Sequence, residues 1–213
     1  MKKITIALVM LFLLLNTSYS QSINDLFNGK SETPITWLGI DYSHVKLIGD
    51  FSQYGGAGEM DSYEIQNKYF PAWNHFVLTE GSKYNVKRTL RTNRVKINLD
   101  MTDELNAIED DFEGNEAPNY TEEEIIKFAK AFKVDNIEGL GVFFIAEYLD
   151  KNTQEAKYHY VVINNKTNEV LLHEVYIKKG GGFGLRNYWA RSFYNVFVEI
   201  EKTNKKLKKK YVK

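Results

Sequence analysis

The sequence predicts an α+β domain of two layers, in the element order β-α-β-α-β-β-β-α, and three observations predict it. Gly141 to Leu149 is an almost unbroken apolar run, the pattern of a central strand covered on both faces. Two more strand-like runs follow, Tyr158 to Ile163 and Glu169 to Ile177, joined by the turn-forming Asn164-Asn-Lys-Thr-Asn168. Segments with apolar residues every three and four positions stand before and after these strands. Together they imply a three-stranded antiparallel meander packed under helices and closed by the last one.

The elements follow in order. Residues 21–34 are polar and turn-rich and read as a loosely held amino-terminal segment. Ile35 to Tyr42 and Val45 to Ile48 read as one strand interrupted near Ser43 and His44. Phe51 to Asp61, with Gly55, Gly56 and Gly58, reads as a loop. Tyr63 to Thr79 is helical by the spacing of Ile65, Tyr69, Trp73, Phe76 and Val77, and Pro71 either kinks it or starts its better half. Val95 to Leu99 is a short alternating strand. The acidic stretch after it has no strong period beyond Ala107 and reads mostly as loop. Thr121-Glu-Glu-Glu124 is a capping box, and Ile125, Phe128, Ala129 and Phe132 make one apolar face, so a helix spans Glu122 to Phe132. Asn168 suits the left-handed position of the hairpin turn. Trp189, Phe193, Val196, Phe197 and Ile200 form the stripe of a closing helix.

Composition bounds the setting. Lys2 and Lys3, the apolar run Ile4 to Leu15 and the small-x-small triplet Ser18-Tyr19-Ser20 read as an export signal over residues 1–20, cleaved before Gln21. The expected organisation is then a flexible segment (21–34), one α/β domain (35–201) and a lysine-rich tail (202–213). The chain has no cysteine, which excludes disulfides, thiolate catalysis, cysteine-ligated metals and a lipid-modified first residue. The expected location is the periplasm or the exterior, with no transmembrane segment. Ten acids and no base lie between 102 and 124, whereas seven lysines and no acid lie between Lys202 and Lys213. These read as a solvated loop and a solubilising tail, the tail also offering a handle for anionic surfaces. Charge is otherwise balanced, which argues against nucleic acid as a partner.

The runs Val161 to Leu172 and Gly-Gly-Phe-Gly-Leu-Arg-Asn-Tyr-Trp-Ala (181–190) resemble an uncharacterised family of small exported bacterial proteins. The hairpin before a closing helix also resembles, in topology, the small α/β domain of TolB amino-terminal regions and of curli-secretion lipoproteins. Those domains serve assembly and secretion at the envelope, so the resemblance implies a binding module.

Candidate chemistry is sparse. Gly180, Gly181, Gly182 and Gly184, with Arg186 and Asn187, stand between a strand and a helix. Free backbone N–H groups, a helix dipole and positive charge there suit an anion. A sharp turn explains the same glycines. Neither phosphate-loop signature fits. If Asn165 pairs with Glu169, His159 and His173 share a face, displaced by one pair, with Glu147 as a third ligand. Ordinary strand histidines are the favoured explanation, and no metal site or cofactor is expected. Asp41, Ser43 and His44 hold the ingredients of a nucleophile and base but are too close on one strand to face each other, and no nucleophile elbow exists. An EF-hand register on Gly114 places Tyr120 at the twelfth ligand, which excludes that loop. The meander has a second face rich in Tyr158, Tyr160 and Tyr176, which must be covered by the chain itself or by a partner.

The expected function is therefore an exported, non-enzymatic envelope module that binds another macromolecule, such as an envelope protein, or assembles, through the tyrosine face and the lysine tail. A small-molecule binder using the glycine loop as an anion site is the alternative, and a hydrolase without a recognisable motif is third.

Overall fold

The computed structural model describes residues 21–52, 61–108, 110–132, 134 and 136–212. The expected export signal, most of the Phe51–Asp61 loop, Glu109 and Lys213 lie outside the described residues.

The sheet overturns the expected class. β1 (Ile35–Asp41), β2 (Lys46–Ile48), β3 (Val95–Ile97), β4 (Glu113–Gly114) and β5 (Leu140–Asp150) are all parallel, in the order β3-β1-β5-β2-β4. The fold is α/β with a parallel-strand sheet, and an α+β plan whose sheet is an antiparallel meander does not describe it. Beyond β5, β6 (Glu155–Asn164) pairs antiparallel with β5, and β7 (Val170–Lys179) pairs antiparallel with β6. The physical reason for the error is length. β3 and β4 are three and two residues long, too short for a period, and their direction is set by the helices that return the chain to the same end of the sheet.

β5 is the axis of the sheet. One of its edges takes β1 along the first half (Ile35↔Leu140 to Asp41↔Ile145) and β2 along the second (Lys46↔Tyr148 to Ile48↔Asp150). The interruption between β1 and β2 is an Asp turn: the Ser43 N–H and hydroxyl both donate to Asp41 Oδ1, at 2.8 and 2.6 Å. Opposite the gap, β5 carries a bulge between Ala146 and Tyr148. β1 itself bulges between Trp37 and Gly39, where Gly39 has φ +102° and a Cβ would lie 2.4 Å from Thr102 Oγ1. Past that point buried side chains replace a neighbouring strand. Asn74 Oδ1 accepts from the Ile40 N–H at 2.6 Å, Asn106 Oδ1 from the Tyr42 N–H at 2.6 Å, and the Thr102 hydroxyl donates to the Leu38 carbonyl at 2.7 Å.

Helices cover both faces. α1 (Ile23–Phe27), a helical run of α2 (Ser62–Glu64), a π turn (Ile65–Tyr69), α3 (Phe70–Asn74) and α4 (Phe76–Thr79), and then α5 (Val86–Leu90), lie with α8 (Gly184–Tyr211) around one core. That core holds Trp37, Trp73, Phe144, Tyr158, Tyr160, Trp189 and Phe197. The π turn closes with the Phe70 N–H on the Ile65 carbonyl, immediately before Pro71, which has no N–H to continue the ladder. On the other face α7 (Glu122–Lys130) packs Ile125 and Ala129 against Phe143, Ile145, Val161 and Ile163, with Leu105 of α6 (Asp100–Asn106) beside them. The capping box of α7 is formed by Thr121 and Glu124.

Two terminal segments differ from their sequence reading. Residues 21–34 are tied down: Leu26 is buried, and the Arg94 guanidinium donates to the carbonyls of Asp25, Asn28 and Thr33. The lysine-rich end is the last part of α8, where Leu207 is buried in the main core, so the domain does not stop at residue 201.

Candidate functional site

β6 alternates Lys157, His159, Val161 and Ile163 on the α7 face. The β5 bulge sets Glu147 as the extra residue opposite the step from Tyr158 to Lys157, which aims its carboxylate between the two β6 side chains. Glu147 Oε2 lies 2.6 Å from His159 Nε2 and 2.9 Å from Lys157 Nζ, and Oε1 accepts from the Tyr120 N–H at 3.2 Å. His159 Nδ1 lies 2.8 Å from His173 Nε2 on β7. Glu147 and His159 are closed to solvent, Lys157 is nearly so, and His173 is half-buried.

The arrangement assigns its own protons. An ionised carboxylate only accepts, so His159 Nε2 donates to Glu147, which in a neutral imidazole leaves Nδ1 to accept from His173 Nε2. Burial opposes ionisation of Glu147, yet the hydrogen bonds from His159 and Lys157 outweigh it and hold the carboxyl below its ordinary value. Burial, and then the neighbouring His159, push His173 down from the usual histidine range. Both His159 nitrogens are engaged, so no lone pair on it faces a metal. Among the described residues no group of three or more metal-type side chains is placed to hold an ion. The row of groups is a relay, Glu147 to His159 to His173, and no hydroxyl among the described residues is bonded to either imidazole to serve as a nucleophile.

His173 connects the relay to the margin of the sheet. Among the described residues β7 pairs with β6 alone, so no described strand lies on its other edge. The Tyr211 hydroxyl donates to the His173 carbonyl at 2.5 Å, and Lys210 bonds Glu174 at 2.6 Å. Beyond His173 on the α7 face, Val175 and Ile177 are 45% and 49% exposed, opposite His159 and Lys157. A long edge strand with two apolar side chains in water is the most open apolar feature of the sheet.

The sequence-predicted residues fall differently. Tyr158 and Tyr160 are 1% exposed beneath α8, and Tyr158 shares a 2.8 Å hydrogen bond with Ser192. Burial drives the hydroxyl pKa of both upward. Tyr176 is half-buried against the same core, its hydroxyl pushed up to about 12, first by burial. The tyrosine face is thus covered by the chain's own closing helix and offers no free surface at Tyr158 or Tyr160.

The glycine loop is brought together as expected in sequence but its charge is engaged. The Arg186 guanidinium bonds Glu80 at 3.0 Å and sits 4.1 Å from the Phe76 ring centroid, and one of its nitrogens lies 3.5 Å from Asn187 Oδ1. The Gly180 and Gly181 N–H groups donate to the carbonyls of Gln154 and Tyr188. A Cβ on Gly180 would fall 2.3 Å from the Tyr188 ring, and Gly182 and Gly184 have positive φ, so close packing and turn geometry account for these glycines.

His44 stacks on Phe128 at 3.7 Å and makes no triad with Ser43, whose hydroxyl is bonded to Asp41. A cavity of about 490 Å³ opens where β2 and β4 end, lined by Gly49, Asp50, Asp61, Glu113, Asn115 and Asn152. The carboxyl ends of parallel strands are where α/β folds hold ligands. Sequence reasoning weighed Glu147, His159 and His173 together only as metal ligands and set them aside, and it missed Lys157 and the β7 edge. The signal for Lys157 was its place two residues before His159, on the same strand face. No family model matches the chain, and no curated protein matches it.

Proposed function

We propose that this chain is an exported, non-enzymatic module of the cell envelope that binds another macromolecule or assembles, with the free edge of β7 as its contact element. The observation that carries the reading is that edge: a ten-residue strand paired on one side, with Val175 and Ile177 exposed. Exposed strand edges recruit further strands, main-chain hydrogen bonds supplying affinity and alternate side chains supplying selectivity. The relay beneath it is a rigid polar support for this part of the sheet, since it has no nucleophile to activate. The resemblance of the Gly-Gly-Phe-Gly-x-Arg-Asn run to small exported bacterial proteins is in keeping with the assignment. The lysine-rich end of α8 provides a secondary contact for anionic surfaces.

The test is site-specific photo-crosslinking in the source cells, with the reactive residue at position 177 and, as a control, at Lys83 in the exposed turn between α4 and α5. An adduct at 177 and none at Lys83 supports the reading. Adducts at neither position, or at both equally, overturn it.

A second reading is small-ligand binding. The cavity at the ends of β2 and β4 favours it over the glycine loop, because its lining of Asp50, Asp61, Glu113, Asn115 and Asn152 is acidic and amide-rich, a character suited to hydroxylated or cationic molecules. Thermal melting against polyols and amines tests it, a rise in Tm marking a ligand.

A further inference from the structure

We infer that the partner of the β7 edge is a second copy of this chain, paired antiparallel about a two-fold axis at Tyr176. The inference rests on the preceding assignment of β7 as the contact element. In an antiparallel ladder each residue sends its N–H and C=O to the same side, and consecutive residues alternate. The Gly180 N–H turns inward to Gln154, whereas the carbonyls of His173 and Lys179 turn outward, to the Tyr211 hydroxyl and the Asn195 amide. The outward residues of β7 are therefore His173, Val175, Ile177 and Lys179. α8 caps the first and the last with its own side chains, which leaves Val175 and Ile177 as the open stretch.

Only one two-fold register uses that stretch and leaves both caps in place. Centring the axis on Tyr176 sets Val175 of each copy against Ile177 of the other, as hydrogen-bonded pairs. Centring it on Val175 requires the His173 carbonyl and displaces Tyr211. Centring it on Ile177 requires Lys179 and displaces Asn195. In the Tyr176 register the exposed Val175 and Ile177 side chains of both copies form one apolar strip on the α7 face. On the opposite face Glu174 of each copy meets Lys178 of the other. These two charges are already engaged within the chain, Glu174 with Lys210 and Lys178 with Glu199, so the cross-pairs extend existing networks and favour this register over its neighbours. A closed isologous interface also consumes the exposed edge and leaves none to propagate.

The experiment measures the mass of the purified protein by sedimentation across a range of concentrations, for the natural sequence and for Ile177→Lys and Val175→Lys. Both positions are half in solvent, so the variants keep the fold, which their melting curves verify. The expected result is a dimer for the natural sequence and loss of the dimer in both variants. Because the chain has no cysteine, Tyr176→Cys supplies a single thiol at the axis, and oxidation is expected to link two copies there. A monomer at every concentration overturns the inference, as does a dimer that survives both lysine variants. The crosslink at position 177 separates the two levels. An adduct to a different protein, with a monomer in solution, removes the self-pairing and leaves the edge as a contact element. No adduct at all removes both.

Discussion

His159 Nδ1 and His173 Nε2 lie 2.8 Å apart and share a single proton, the other His159 nitrogen being committed to Glu147. His173 therefore takes up a proton only at its outer nitrogen, and its folded-state pKa is lowered by burial and by His159. The sign follows from linkage. The unfolded chain binds this proton near the ordinary value of 6.5, the folded chain only at lower pH, so the unfolded state holds more protons in between. Stability contributed by neutral His173 is complete above that value and is lost as pH falls below it. Urea denaturation at pH 7.5, 6.5 and 5.5 (settings of roughly one unit on either side of a histidine's pKa) is expected to show declining stability. His173→Gln flattens the decline in this window, and an unchanged slope refutes the assignment.

Glu147 neutralises Lys157 in a place almost without water. Glu147→Gln leaves that ammonium buried without a counter-charge, bonded only to Asn119, with an expected loss of about 3 kcal/mol, the lower end for breaking a buried pair because Lys157 keeps some exposure. Adding Lys157→Met to Glu147→Gln removes the stranded charge and recovers part of the loss. A double variant as unstable as the single one shows that the carboxylate acts mainly through His159.

Gly39 and Thr102 meet where β1 bulges. Gly39→Ala combines a φ of +102° with a Cβ 2.4 Å from Thr102 Oγ1, and the hydroxyl it displaces is bonded to the Leu38 carbonyl. Strain and overpacking of this kind cost about 3 kcal/mol together, a fall in Tm of roughly 6–12 °C at this chain length. A calorimetric scan that finds the variant within a degree or so of the natural protein contradicts the packing described.

Removing residues 203–213 is expected to destabilise the domain measurably, against the reading of this segment as a solvated tail. The truncation deletes buried Leu207 and the Tyr211 hydroxyl that caps His173. Burial of one leucine is worth about 1.5–3 kcal/mol. Amide exchange at His173 to Ile177 rises with the truncation, and melting that is indifferent to it contradicts the packing of the last turns.

Arg186 is bound by Glu80 and Phe76, so a panel of phosphorylated, sulfated and carboxylated compounds is expected to leave Tm unchanged. Arg186→Ala costs little, because the pair with Glu80 is partly exposed, and such pairs contribute up to about 1 kcal/mol. A Tm rise with one anion that disappears in Arg186→Ala restores the glycine loop as a binding site.

Local signals were legible where one segment carries its own explanation. The capping box Thr121–Glu124, the nearly all-apolar β5, Asn168 with φ 54°, the strand break at Ser43 and the helical stripe of α8 are each written in a few neighbouring residues. Even the shared face of His159 and His173 follows from a two-residue period and a turn. Tertiary structure alone decided three things. It made five strands of the sheet parallel, because β1, β3 and β5 meet across long separations and short strands carry no mark of direction. It placed Glu147 between Lys157 and His159, because a bulge shifts the register by a residue and the shift depends on the gap between β1 and β2. It turned the tyrosine face inward and left the edge of β7 open, because α8 is long enough to cover Tyr158 and Tyr160 and reaches the margin only at its own side chains. Periodicity states which residues seek burial, and packing decides which of them find it.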